Sequence, residues 1–236
     1  MNIVILGGGT PNKFGHDFAL AARACGHRVV IFSHKKNGLD DPDQHVIDYD
    51  DLDATAKVFA QALDEFSQID IILLNQNGTT YPRDAATIPI VDVASYTHSF
   101  NLYVVAGHLL VSKAYWKLAD GSKVVYMSTG LAFQHTREQF CDMNHFSYSG
   151  YKSLMTHVIM GFAHNRRKKT IFTVLSPHFP YEDHDNYKKV FAVCRDWIFD
   201  HDESANGTTS LAWVPDQVPH AATIQVVLKN TNKIVA

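Results

Sequence analysis

The stretch FSYSGYKSLM, residues 146–155, places two tyrosines just ahead of one lysine. Residues four apart in an α-helix lie on one face, whereas neighbouring residues point about 100° apart. We therefore expect Tyr148 and Lys152 to face the same cleft and Tyr151 to pack elsewhere. An ammonium group beside a phenol favours the phenolate, which would tune the phenol to exchange protons near neutral pH. The spacing predicts Tyr148 as a proton donor and acceptor that Lys152 supports.

The elements that must position this pair are short β-branched runs that alternate with helical spacings. Most of these runs are apolar almost throughout, which is typical of strands covered on both faces. Such alternation predicts βαβ units with right-handed crossovers. We therefore expect one domain over residues 1–236, with a three-layer α/β Rossmann fold around a doubly wound, mostly parallel seven-stranded sheet. The predicted strands are 2–6, 28–32, 45–47, 69–74, 123–128, 170–175 and 210–214, and the main helical stretches include 93–119 and 146–165.

A glycine-rich turn, LGGGTPNKFG over residues 6–15, follows the first predicted strand and opens a predicted helix. A turn of this kind lets backbone N–H groups approach a pyrophosphate at the positive end of the helix. The alternative is a tight turn with no ligand. The contacts predicted for a dinucleotide cofactor in this turn are Gly7, Gly9, Thr10, Asn12, Lys13, Phe14 and Gly15.

The end of the second predicted strand bears on the choice of dinucleotide. Folds that use NAD tend to place an acidic residue there, which holds the ribose 2′-hydroxyl. This chain has Ser33, His34 and Lys35 instead, and Lys13 could reach the same position from the glycine turn. These groups suit a 2′-phosphate, although an exposed polar loop that binds no ligand could have the same residues. The pattern favours NADP(H) over NAD(H).

In the order of these motifs, the chain resembles the short-chain dehydrogenases/reductases over nearly all of residues 1–215. That family has YxxxK in the helix after the fifth strand and a TGxxxGxG turn after the first. Gly9 and Gly15 match the outer glycines of that turn, while Lys13 replaces the middle one. The family also ends its fifth strand with a hydroxyl, for which VYMSTG offers Thr129 at the usual position and Ser128 as a rival.

The resemblance extends to the ends of other predicted strands. Asn101 falls where the family has an asparagine that holds a water in the proton relay, and the segment 131–146 is longer than usual where the family borders its substrate pocket. NQNG at 75–78 resembles the family's NNAG, and LSPH at 175–178 resembles its PG stretch beside the nicotinamide. The further cofactor contacts that the resemblance implies are Asp48, Tyr49, Asn75, Gln76, Asn77, Gly78, Pro177 and His178, together with Tyr148 and Lys152.

The function that the resemblance implies is an NADP(H)-dependent oxidoreductase that interconverts a ketone or aldehyde and an alcohol. Its partners would be a small-molecule carbonyl or alcohol substrate and copies of itself, in a homodimer or homotetramer. A non-catalytic NADP(H)-sensing protein on the same fold is an alternative, which the irregular glycine turn favours. Nucleotide-sugar epimerisation or dehydration is a third, but it would need a larger C-terminal substrate region.

Composition narrows the class of protein further. A formal net charge of −3 gives no electrostatic case for nucleic acid or an anionic membrane surface, and no stretch approaches ~20 apolar residues. The three cysteines are far apart, which suggests a reducing compartment and no zinc site. Histidine pairs such as His184/Asp185 match no common metal pattern. We expect a cytoplasmic protein without a metal.

Overall fold

The computed structural model describes residues 1–34, 42–76, 93–128, 143–165, 170–176, 184–200, 209–213 and 224–228. The strands are β1 Asn2–Leu6, β2 Arg28–Ser33, β3 Gln44–Val46, β4 Ile69–Leu74, β5 Leu118–Met127, β6 Ile171–Ser176, β7 Thr209–Trp213 and β8 Ile224–Leu228. The helices are α1 Phe14–Ala24, α2 Leu52–Asp64, α3 Val93–Phe100, α4 Ala106–Ala114, α5 Met143–Asn165 and α6 His184–Asp200, with a π-helical segment Asn101–Val105 and a short 3₁₀ turn Tyr115–Lys117.

The strands form one sheet in the order β3-β2-β1-β4-β5-β6-β7-β8. Every neighbouring pair from β3 to β7 is parallel, and β8 pairs with β7 in the antiparallel sense. The order reverses between β1 and β4, and a crevice at such a reversal is where doubly wound folds bind ligands. The predicted fold class is confirmed. The sheet has eight strands where seven were predicted, because β8 adds an antiparallel edge strand beside β7.

Alternation along the central strands fills two cores. In β1, Val4 and Leu6 point to one face of the sheet, whereas Ile3 and Ile5 point to the other, and all four are fully buried. The first face is covered by residues of α2, α4 and α5, and the second by residues of α1 and α6. Successive side chains in a strand alternate between faces, so an all-apolar strand needs helices on both sides. The sheet is therefore the middle of three layers.

The predicted helix 93–119 is divided in the structure. The turn Asn101–Val105 widens into a π-helix, in which the N–H of Ala106 donates to the carbonyl oxygen of Asn101. The chain then leaves α4 and enters β5 at Leu118, five residues before the predicted start of that strand. Apolar periodicity does not distinguish a π-helical turn from an α-helical one, so the sequence could not reveal this division.

Among the described residues, no helix combines the length and the apolar character needed to cross a membrane.

Candidate active site

A buried lysine lies at the carboxyl edge of the central strands. Lys152, in α5, is 2% exposed, and its Nζ donates hydrogen bonds to the carbonyl oxygens of Gln76 and Met127, each at 2.9 Å. Gln76 follows β4, and Met127 ends β5. These two strands are neighbours in the sheet. α5 thus delivers the ammonium to the point where two parallel strands end.

Three tyrosine rings surround this ammonium. Nζ of Lys152 lies 5.1, 5.5 and 5.6 Å from the ring centroids of Tyr126, Tyr103 and Tyr148. Burial lowers the pKa of Lys152 to about 7, whereas the two carbonyl acceptors and the ring faces favour its charged form. Burial also raises the pKa of Tyr126 well above its ordinary value, so that phenol stays neutral. Below about pH 7 the cluster is therefore an ammonium held by carbonyl oxygens and ring faces.

The two tyrosines of α5 have different surroundings. Tyr148 is half-buried and presents its ring to Lys152, four residues further along the helix. Tyr151 instead stacks on Tyr103, with ring centroids 6.1 Å apart, and its hydroxyl donates to the carbonyl oxygen of Tyr96 at 3.4 Å. Burial is the main cause that raises the pKa of Tyr151. The helix brings Tyr148 to Lys152 as the spacing predicts, and the proton-exchange role of Tyr148 stays a prediction.

Buried polar atoms without internal partners lie beside the lysine. Gln76 is 1% exposed, yet neither its Nε2 nor its Oε1 has a hydrogen-bond partner, and the same holds for the buried Oγ of Ser128. Leaving such a group unsatisfied costs roughly 1–3 kcal/mol. Gly107 faces Gln76, because a Cβ there would lie 2.9 Å from Nε2. Both unsatisfied side chains were predicted as site residues, and their atoms could be satisfied by a polar ligand or by water.

Hydrogen bonds tie the glycine turn to β2 and to the residue that follows β4. Gly7 has a φ of +95°, and its N–H donates to the carbonyl oxygen of Phe32 at 2.8 Å. Asn75 donates from Nδ2 to the carbonyl oxygen of Gly7 at 3.1 Å. A Cβ on Gly15 would lie 2.7 Å from both of those atoms, so only glycine fits. The side chain of Phe14 is fully buried in the core, which leaves only its backbone near the turn.

A cleft opens between this turn and the ends of β2 and β3. Ser33 ends β2, and its Oγ accepts a hydrogen bond from Nε2 of the buried Gln44 at 2.7 Å. Asn12 and Lys13 are exposed in the turn. The carboxylate of Asp48 accepts the N–H of Asp50, outside the cleft lining. The residues that line the cleft are Gly7, Gly9, Thr10, Ser33, His34, Tyr49, Gln76 and Leu102.

Asn101 makes a contact that the sequence did not predict. Its Nδ2 donates to the carbonyl oxygen of Tyr49 at 2.8 Å, and nearby His98 lies 2.8 Å from a carboxylate oxygen of Asp50. These bonds dock the α3 end of the divided helix onto the connection between β3 and α2. The side-chain amide of Asn101 therefore has a structural partner, and its role in a proton relay stays a prediction.

Several predicted site residues lie outside the described residues: Lys35, Asn77, Gly78, Thr129, Pro177 and His178. Conversely, three residues of the site escaped the sequence reasoning, namely Leu102, Tyr103 and Tyr126. Tyr103 belongs to the unforeseen π-helical segment, and Tyr126 sits in an apolar strand that reads as core. The one usable signal was that Tyr126 comes two residues before the candidate hydroxyl of Ser128. Within the described ranges, no three histidine, cysteine or acidic side chains gather in a way that could hold a metal ion.

No protein-family model matches the sequence, and no curated protein matches it significantly. Solved structures do match. A carbonyl reductase from Pseudomonas aeruginosa PAO1, in complex with NADP, is 15% identical with a TM-score of 0.69, and the match covers 90% of this chain and 96% of that chain. A protein from Burkholderia multivorans with bound NADP, described as a short-chain dehydrogenase/reductase, is 16% identical with a TM-score of 0.69 over 90% and 95% of the two chains.

A short-chain dehydrogenase family protein from Francisella tularensis subsp. tularensis SCHU S4 is similar at 14% identity and a TM-score of 0.66, over 90% of this chain and 96% of that one. The chain therefore has the fold of the short-chain dehydrogenases/reductases over almost its whole length, and the resemblance that the motifs carried is confirmed at the level of the fold.

Proposed function

We propose that the chain is a divergent short-chain dehydrogenase/reductase that interconverts a ketone or aldehyde and an alcohol with NADP(H). The observation that carries the proposal is the pair of Tyr148 and the buried Lys152 at the carboxyl edge of β4 and β5. Gln76 links this pair to the cleft, because its carbonyl oxygen accepts from Lys152 while the residue lines the cleft beside the glycine turn.

The residues of the cleft fit a dinucleotide. The backbone of the glycine turn at the start of α1 would hold the pyrophosphate, and Tyr49 and Leu102 would flank the adenosine half. The buried, unsatisfied amide of Gln76 supports a polar ligand at this place. When bound, the nicotinamide would supply or accept a hydride. NADP complexes of two structurally similar proteins favour the same choice here, as do Ser33 and His34 in place of an acid.

The chain's own residues would hold the substrate oxygen and move its proton. Tyr148 would give a proton to that oxygen in reduction and take it in oxidation, and the ammonium of Lys152 would favour the phenolate formed when the proton leaves. The Oγ of Ser128, which has no partner among the described residues, would donate to the same oxygen. Thr129 is the alternative donor from the sequence. Together these groups would fix one orientation of the carbonyl.

The test is turnover by two matched variants. Tyr148→Phe should lower the rate by at least ~10²-fold, the contribution typical of general acid–base catalysis, while the dissociation constant for NADPH changes little. Tyr151→Phe, which removes a neighbouring hydroxyl that contacts the carbonyl oxygen of Tyr96, should keep most of the activity. Rates are followed by NADPH absorbance over a panel of ketones and aldehydes. Equal losses in the two variants would refute the assignment of the proton donor.

A non-catalytic NADP(H) sensor is the second candidate. It is favoured by three hydrogen bonds in which side chains proposed for the proton relay already donate to the backbone. Lys152 donates to two carbonyl oxygens, and Asn101 donates to the carbonyl oxygen of Tyr49. A sensor would bind NADPH in calorimetry, yet no carbonyl compound of the panel would cause its oxidation. Turnover of any one compound that Tyr148→Phe abolishes decides for the enzyme.

A further inference from the structure

Tyr103 contacts both members of the proposed proton-exchange pair, although the sequence predicted no role for it. We infer that Tyr103 is a positioning residue whose ring fixes the ammonium of Lys152 and the ring of Tyr148 in one arrangement. That this arrangement serves turnover rests on the proposed function. Its physical content, a contact between a ring and a cation, can be tested without turnover.

The ring of Tyr103 contacts two rings of α5, those of Tyr148 and Tyr151. Tyr103 is 3% exposed and lies on the π-helical segment that follows α3. Its centroid is 5.3 Å from that of Tyr148 at an interplanar angle of 74°, which is an edge-to-face contact. Tyr151 also stacks on it, with ring planes 14° apart. A buried ring that contacts two other rings has little freedom, so it can restrict the ring of Tyr148.

The same ring faces a cation that has lost its water. Nζ of Lys152 lies 5.5 Å from the centroid of Tyr103, within the ~6 Å over which a cation–π contact acts. Such contacts are strongest when the cation is desolvated, and Lys152 is wholly buried. Among the described residues, the titratable groups that face the ammonium are the phenols of Tyr103, Tyr126 and Tyr148, on the π-helical segment, β5 and α5. In the described part of the chain no carboxylate pairs with Lys152.

Since no carboxylate of the described residues offsets the loss of water there, the charged form of Lys152 is favoured by the two carbonyl acceptors and by the ring faces. Removing one of them should favour the neutral amine. The aromatic ring of Tyr103, more than its hydroxyl, is then the part that matters, and Tyr103→Phe should behave like the natural protein. Tyr103→Leu should not.

The experiment follows the titration of Lys152 by nuclear magnetic resonance in protein labelled at lysine with ¹³C and ¹⁵N. Its signal is assigned by its absence from Lys152→Met, and the pH is varied between about 5 and 9. We expect Tyr103→Leu to lower the midpoint by about one pH unit, a tenfold change in the protonation equilibrium. Tyr103→Phe should leave it nearly unchanged. Tyr115→Leu, which removes a ring remote from Lys152 at the end of the same helical stretch, is the matched control and should have no effect.

Because Tyr103→Leu could loosen the packing, a second series keeps the shape of the ring. Ring-fluorinated phenylalanines at position 103 weaken the negative ring face with increasing fluorine number, so the midpoint should fall progressively along the series. A flat series, or an unchanged midpoint in Tyr103→Leu, overturns the inference.

The pH profile of turnover gives the catalytic readout and should move together with the midpoint. An active enzyme with an unmoved midpoint contradicts the inference alone. A moved midpoint in a protein without turnover contradicts the proposed function alone.

Discussion

Replacing Lys152 by methionine should change how stability depends on pH. The side chain is wholly buried, and burial lowers the pKa of Lys152 to about 7, whereas an unfolded lysine titrates near ~10.4. Above pH 7 the unfolded chain therefore binds a proton that the folded chain does not. Stability then rises with pH through this group, by at most about 1.4 kcal/mol per pH unit.

Because stability rises with pH through Lys152, the difference in unfolding free energy between the natural protein and Lys152→Met should also depend on pH. Below pH 7 both states of the natural protein carry the proton, so the difference is constant and includes the full penalty of a buried ammonium. Between pH 7 and pH 9 the natural protein should gain roughly 2–3 kcal/mol relative to the variant. Groups common to both proteins cancel in this difference.

Urea denaturation at a series of pH values measures the difference directly. Lys113→Met is the matched control, because Lys113 is exposed on α4 and its replacement should give a difference that stays flat over the same range. A flat difference for Lys152→Met as well would refute the reasoning, since it would mean that the folded protein keeps Lys152 charged up to the pH at which the unfolded chain loses its proton.

Three further predictions concern the cofactor, the glycine turn and assembly. Calorimetry should show that NADPH binds about tenfold or more tightly than NADH, because one charge-assisted hydrogen bond to the 2′-phosphate would give this difference. Lys35→Ala should reduce the difference between the two affinities, and equal affinities in the natural protein would overturn the choice of NADP(H). Gly15→Ala should lower the free energy of unfolding by roughly 1–3 kcal/mol, because its Cβ would meet Asn75 and Gly7, whereas Gly150→Ala, with open space around its Cβ in α5, should be neutral or slightly stabilising in the same melts. Light scattering at micromolar concentration should show a dimer or tetramer formed through the helices around Asn101 and Tyr148, and a monomer would contradict this.

The parts of the fold that the sequence predicts well are those that local pattern determines. Ile3 and Ile5 must be covered on one face of the sheet, and Val4 and Leu6 must be covered on the other. An all-apolar run that ends at a glycine turn therefore already implies a central strand. The Tyr148 and Lys152 spacing has the same local character, because four residues along a helix bring two side chains to one face whatever surrounds them.

The parts that escaped prediction depend on contacts between distant segments. Asn101 and Tyr49 are 52 residues apart, and nothing near either residue indicates that an amide of one will bind the carbonyl oxygen of the other. The rings of Tyr103 and Tyr126 meet Lys152 only because the π-helical segment, β5 and α5 converge in space. The three rings around Lys152 therefore come together only through the tertiary structure. The sequence indicates the lysine but not the rings that surround it.

The widened turn at Asn101–Val105 makes the site sensitive to the number of residues as well as to their identity. This turn already holds one residue more than an α-helical turn, and an α-helix advances about 100° per residue, so one further residue inserted between α3 and α4 would turn α3 by about that angle against α4. His98 and Asn101 would swing away from Asp50 and Tyr49, while Gly107 stayed opposite Gln76. Every side chain of the proposed site would still be encoded, yet the two halves of the helix would be out of phase. One inserted residue would thus act like several substitutions made at once.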